Sequence, residues 1–162
     1  MLFKKGEIEG VFIKPLVRYL DERGSTIEAI RIDLLDCSLD LVMSYVSFTK
    51  SGVKRGPHEH IFQKDIFIFI GPGNFEIKLW DNRRNRKSYG NYTQLLAGED
   101  NPVRIIVPPG VVHAYRNISR KNGMVINYPD KLYRGWGKKE KVDEIRHEDK
   151  KDAFFLDFNT ND

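Results

Sequence analysis

The chain has 162 residues, 40% hydrophobic and 31% charged, with 27 Lys+Arg against 23 Asp+Glu and a net charge of +4. That composition suits a soluble globular protein, one domain long and large enough for a real core. No apolar run reaches membrane-spanning length, MLFKKGEIEG lacks the apolar core of a secretory leader, and no nucleic-acid motif accompanies the basic excess. A cytoplasmic protein binding neither membrane nor nucleic acid is therefore expected. The one cysteine, Cys37, cannot form an internal disulfide and reads as an indifferent thiol.

In chain order, short β-rich runs recur: GVFIKP, TIEAIRIDL, LVMSYVSF, DIFIFI, NFEIKLW, YTQLL, VRIIV, VVHAY and MVINY. Gly, Pro, Asn and Asp separate them, as in Gly71-Pro72-Gly73-Asn74 and Pro108-Pro109-Gly110. Many short strands with regular turn signals predict an all-β sandwich or barrel. TIEAIRIDL and NFEIKLW alternate, predicting one wet and one dry face. DIFIFI is apolar on both faces after Asp65, which predicts a strand covered on both sides, the second cover being another subunit. Arg83, Arg84, Arg86 and Lys87 read as a solvated hairpin tip, and Trp80, Phe67 and Phe69 as core or barrel lining. Residues 138 to 152 form a charge run, predicted as a solvated helix or turn, and FFLDF at 154 to 158 is expected to pack back on the barrel.

Two half-motifs carry the chemistry. GVKRGPHEHIFQKDIFIFIGPG supplies His58, His60 and Asp65, and VPPGVVHAYRN supplies His113, 53 residues after His60. Alternate residues of a strand share a face, so His58 and His60 point the same way. Gly110 in the Pro-Pro-Gly turn is expected at positive φ. Three of the four histidines fall within the two motifs.

This two-part pattern resembles the cupin signature, with Asp65 where a Glu is usual. The resemblance implies a double-stranded β-helix, or jelly-roll, barrel, with residues 1–162 as one cupin domain. Over residues 10 to 150 the chain also resembles the dTDP-4-dehydrorhamnose 3,5-epimerase family, on Asp21-Glu22-Arg23-Gly24 with Glu28, Gly52-Val53-Lys54-Arg55-Gly56-Pro57-His58, Trp80-Asp81-Asn82-Arg83, and VPPGVVHAY. Such enzymes remove a proton beside the C4 ketone of a nucleotide-linked 4-keto-6-deoxyhexose and return it on the other face, in deoxysugar and polysaccharide biosynthesis. The resemblance implies His58 as base, Asp149 as its carboxylate partner, and Tyr128 or Tyr133 as acid, with Asn127 at the acid position in the alternative register. Arg55 is implied to bind phosphate, Arg23 and Glu28 to reach the nucleotide of a neighbouring subunit in a homodimer, and His60, Asp65 and His113 to line the substrate pocket, with no cofactor. The family's Gln and pocket Lys are here His60 and Asp65, which opens single epimerisation or keto-isomerisation.

Two alternatives remain at this point. His58, His60, Asp65 and His113 would suit a divalent transition metal, with Gln63 a poor substitute for the carboxylate. A barrel that binds a sugar without catalysis is the other.

Overall fold

The computed structural model describes residues 3–35 and 40–159; Cys37 lies outside them. Thirteen strands occur among the described residues. They are β1 (Lys4–Lys5), β2 (Phe12–Pro15), β3 (Arg18–Asp21), β4 (Gly24–Ile27), β5 (Tyr45–Thr49), β6 (Lys54–Glu59), β7 (Asp65–Phe69), β8 (Asn74–Asp81), β9 (Asn91–Gly98), β10 (Val103–Val107), β11 (Val111–Asn117), β12 (Gly123–Pro129) and β13 (Ile145–Arg146). Two short helices close the chain, α1 (His147–Lys150) and α2 (Ala153–Asn159).

A six-stranded sheet runs β1-β9-β8-β11-β6-β13 and a five-stranded sheet β2-β10-β7-β12-β5, with β3 and β4 as a separate hairpin. Among the described residues, no ladder hydrogen bonds join the two large sheets. Strands far apart in sequence are neighbours, as the jelly roll requires, and the all-β expectation holds.

Alternation sorts the apolar side chains into three layers. Between the sheets, Phe67, Phe69, Val103, Ile105, Val107 and Val125 meet Phe75, Ile77, Leu79, Val111 and Tyr115. Outside the six-stranded sheet, Trp80, Val112 and Ala114 are capped by Phe154 and Phe158 of α2. FFLDF therefore does pack back on the barrel, as helix, and Trp80 is fully buried with its indole N–H donating to Asp157 at 2.7 Å.

Outside the five-stranded sheet, Ile66, Ile68 and Ile106 pack with Leu16, Ala29, Ile30, Leu35, Ile126 and Tyr128. This corrects two expectations. The second face of DIFIFI is covered by the chain's own N-terminal segment, so its apolarity does not require another subunit. TIEAIRIDL is strand only through Ile27; its later apolar residues form that cover, around a 3-10 turn at Ile32–Leu34. In the charge run, β13 and α1 emerge from irregular backbone.

Candidate active site

The three motif histidines converge because β6 and β11 are paired with His58 opposite His113. A register shift follows between His113 and Tyr115, where β6 carries Gly56 and Pro57. Gly56 has φ +78°, and a Cβ there would sit 2.5 Å from the His113 carbonyl oxygen. Only glycine permits that approach, so the bulge that turns His58 inward is written into the sequence. Gly110 has φ +74°, as its turn predicted, and its N–H donates to the His60 carbonyl at 2.8 Å, tying the two half-motifs together.

Ring centroids lie 4.4 Å apart for His58 and His113, 5.9 Å for His58 and His60, and 6.0 Å for His60 and His113. Beneath them is Asp65, 1% exposed. Its Oδ1 accepts from Gln63 Nε2 at 2.9 Å and Asn127 Nδ2 at 2.8 Å; its Oδ2 lies 3.3 Å from His60 Nε2 and 3.8 Å from His113 Nε2. His60 donates through Nδ1 to the Asp143 carbonyl and accepts from Gln63 at Nε2, 3.2 Å away. The Asp143 carboxylate accepts from the backbone N–H groups of Ile61, Phe62 and Gln63, all at 2.9 Å, so the turn after His60 is clamped to the C-terminal segment.

Above this cluster opens a cavity of about 1800 Å³, walled by Tyr45, Arg55, His58, His60, Tyr133, Glu144 and Arg146 among others. Arg55 is anchored by Nε to Thr49 Oγ1 at 2.9 Å and Nη2 to the Phe48 carbonyl at 3.1 Å. Burial drives the His58 pKa well below its usual value, helped by His113, His60, Arg146 and His147, so the ring is neutral and able to take a proton near pH 7. His113 is lowered to about 4 by burial, against the raising influence of Asp65. It donates through Nδ1 to the Val111 carbonyl at 3.1 Å, and its buried Nε2 has no hydrogen-bond partner among the described residues.

Several expected positions need correction. Asp149 does not meet His58: its carboxylate pairs with Arg146 at 2.9 Å and is 66% exposed. The carboxylate facing His58 Nε2 is Glu144, at 3.9 Å. β13 pairs with β6, setting Arg146 opposite His58 and bringing Glu144 beside it. Tyr128 points away from the cavity. On β12 the buried, core-facing positions share the parity of Val125, which selects Asn127, while Tyr128 joins the outer apolar layer. Asp65 and His113 lie under the cavity wall and orient it from beneath. Arg23 pairs with Asp21 on the β3–β4 hairpin and Glu28 with Arg31, neither lining this chain's cavity. Sequence reasoning passed over Glu144 and Asp143, read Tyr45 only as a departure from a nucleotide-contacting residue of the family, and had no local signal to mark Asn127 as inward.

The family model for dTDP-4-dehydrorhamnose 3,5-epimerase matches residues 5–153. The chain belongs to that family. It is 32% identical over 127 residues to the probable low-salt glycan biosynthesis epimerase Agl13 of Haloferax volcanii, covering 78% of this chain and 81% of the relative. It is 32% identical over 130 residues to the spore coat polysaccharide biosynthesis protein SpsL of Bacillus subtilis, covering 78% and 82%. The fold matches the dTDP-6-deoxy-D-glucose-3,5-epimerase RmlC from Legionella pneumophila, solved with dTDP-4-keto-L-rhamnose, at TM-score 0.72 and 19% identity over 88% of this chain and 75% of that one.

Within this sugar-nucleotide epimerase, His58, His60 and His113 each offer a nitrogen within 4.8 Å of the others. As donors they suit a divalent transition metal. An imidazole nitrogen bound to a metal is, however, not free to take a proton. His60 Nε2 is already engaged by Gln63.

Proposed function

We propose that this epimerase abstracts a proton from a carbon beside the ketone of a dTDP-4-keto-6-deoxyhexose-like sugar nucleotide and returns it on the opposite face, without a bound metal, in the synthesis of a polysaccharide. The observation that carries the reading is a neutral, partly accessible His58 on the wall of a large cavity, with Glu144 poised 3.9 Å from its Nε2. The C–H proton goes to His58 and its electron pair to the ketone oxygen, giving an enolate. Glu144 takes the part expected of Asp149, supporting the imidazolium once it forms. Arg55, exposed at the cavity wall with a guanidinium fork, binds the diphosphate. His60 positions the sugar, and Tyr133 contributes from the loop beyond β12.

The reading includes a cytoplasmic homodimer, each chain one cupin domain. Leu20, Phe48 and Val46 are 78%, 63% and 51% exposed, an apolar display suited to a second copy that would receive Arg23 and Glu28. The names of the relatives, an epimerase and a polysaccharide biosynthesis protein, support the sugar chemistry. Family membership does not favour the metal-dependent or non-catalytic cupin.

The test is solvent exchange. Incubated in heavy water with dTDP-, UDP-, GDP- or CDP-linked 4-keto-6-deoxy sugars, the enzyme should place deuterium beside the ketone of at least one. His58→Asn should abolish incorporation while leaving sugar-nucleotide binding largely intact. No deuterium in any of them overturns the reading. Near-stoichiometric transition metal in the purified protein, lost together with activity in the His58, His60 and His113 variants, would replace it with the metal-dependent one.

A further inference from the structure

Resting on the epimerase reading, we propose that the Tyr45 hydroxyl is the acid that delivers the proton to the sugar on the face opposite His58. Inversion needs a base and an acid on opposite sides of the reacting carbon. His58 comes from β6 in the six-stranded sheet and Tyr45 from β5 in the five-stranded sheet, and both line the same cavity.

The inward positions of β12 hold no acid: Gly123, Val125, Asn127 and Pro129 occupy them, and a carboxamide does not give up a proton at neutral pH. Asn127 instead holds a neighbour in place. It is the cross-strand partner of Tyr45 in the β12–β5 ladder, so the two side chains share the inner face. Its Nδ2 donates one hydrogen to Asp65 Oδ1 and the other to the Tyr45 hydroxyl oxygen, each at 2.8 Å. With its oxygen accepting from Asn127, Tyr45 keeps its own O–H hydrogen, for which the described residues provide no acceptor. The same Asn127 N–H would stabilise the phenolate left after transfer.

The other tyrosines are placed less well. Tyr128 is in the outer layer, Tyr115 is 6% exposed with its hydroxyl on Ser47 at 3.1 Å, and Tyr133, about as exposed as Tyr45 at 54% against 43%, stands on a loop and not on a strand of the five-stranded sheet. Although Tyr45 as a whole is 43% exposed, desolvation at its hydroxyl, seconded by Asp65, raises its pKa above the ordinary phenol value, so the O–H is retained at neutral pH.

The step balances. His58 holds the proton it removed, the enolate electrons return to carbon, and carbon takes the Tyr45 proton as the ketone re-forms. The imidazolium and phenolate then exchange protons with water, which restores both groups and carries solvent hydrogen into product.

The experiment separates removal of the proton from its return. In heavy water, Tyr45→Phe should lower inverted product by at least about 100-fold. Deuterium should still enter recovered, uninverted sugar, because His58 removes and returns a proton on its own face. Tyr133→Phe should keep exchange and inversion coupled. Calorimetric binding of dTDP to Tyr45→Phe reports that the cavity is intact. Should that variant fold poorly, 3-fluorotyrosine at position 45 is the second probe, and its more acidic phenol should move the alkaline limb of inversion to lower pH. Inversion by Tyr45→Phe within about threefold of wild type, exchange and inversion falling together, or an unmoved alkaline limb would each overturn the assignment. Absence of exchange in the wild-type enzyme would instead defeat the epimerase reading itself, so the two failures are distinguishable.

Discussion

Asp65 is the residue whose removal separates a structural anchor from a ligand-binding group. It is 1% exposed and accepts two side-chain hydrogen bonds, from Gln63 and Asn127, while its second oxygen faces two imidazoles. Hydrogen bonds to a charged group are worth about 1.5–3 kcal/mol each, and stranding buried donors costs a similar amount, so Asp65→Ala should destabilise the fold by roughly 3–5 kcal/mol. Asp65→Asn keeps an acceptor for both donors and loses only the charge, for a cost of about 1 kcal/mol. In urea unfolding at constant m, the alanine variant should lose roughly 2 M in midpoint and the asparagine variant a fraction of that. Activity should follow the same order, because Asp65 holds Asn127 and through it Tyr45. If Asp65→Ala unfolds within about 1 kcal/mol of wild type while KM rises sharply, Asp65 contacts substrate directly and the anchoring argument is wrong.

Glu144→Gln should reduce kcat roughly 10-fold with little change in KM, whereas Asp149→Asn should leave both near wild type; the reverse pattern would restore Asp149 as the partner of His58. Tyr128→Phe should leave activity and stability near wild type, since its ring packs in the outer apolar layer, and a large loss of turnover would contradict the assigned parity of β12. His147 carries a stability signature: burial pushes its pKa down, but hydrogen bonds to Glu59 at 3.0 Å and Asp152 at 2.5 Å outweigh that and raise it. A raised folded pKa gives stability that is complete below the unfolded value, about 6.5, and fades as pH climbs through the folded one. The gap in thermal midpoint between wild type and His147→Gln should therefore narrow from about pH 6 to pH 8.5, and a gap that widens would refute the assignment.

What could be read from the residues was local. The HxH alternation of His58 and His60 and the positive φ of Gly110 are set within a few residues. The apolar FFLDF run signalled a return to the barrel, although its partners Trp80, Val112 and Ala114 lie far away in sequence. Parity on β12 was harder to read. MVINY is apolar at both phases because the five-stranded sheet is covered on both sides, by the inner core at Val125 and by the N-terminal segment at Ile126. With no polar face to mark the outside, nothing local distinguishes Asn127 from Tyr128. Glu144 was hidden for a different reason. It lies in a run of like-looking charged residues, and only the two-residue pairing of β13 with β6 brings it, rather than Asp149, to His58.

The crowding of imidazoles fixes how the site must divide its work. Burial, and with it His113, His60 and Arg146, opposes a positive charge on His58, so in the proposed reaction the imidazolium formed on proton abstraction is unfavourable in the free site. A base so weakened removes a carbon-bound proton only if the charges created are met elsewhere. Glu144 lies 3.9 Å from His58 Nε2, placed to meet an imidazolium, and Arg55 is the cation on the same cavity wall proposed to bind the diphosphate. Asp65 works in the other sense. Buried below His60 and His113, it sets a negative charge under the cluster without presenting one to the substrate. Placed below the wall, Asp65 holds Gln63 and Asn127 in register without adding a second carboxylate beside Glu144 at the reacting face. The replacement of a pocket cation by Asp65 therefore need not abolish enolate chemistry. It shifts the burden of stabilising an oxyanion onto the remaining donors of the cavity wall.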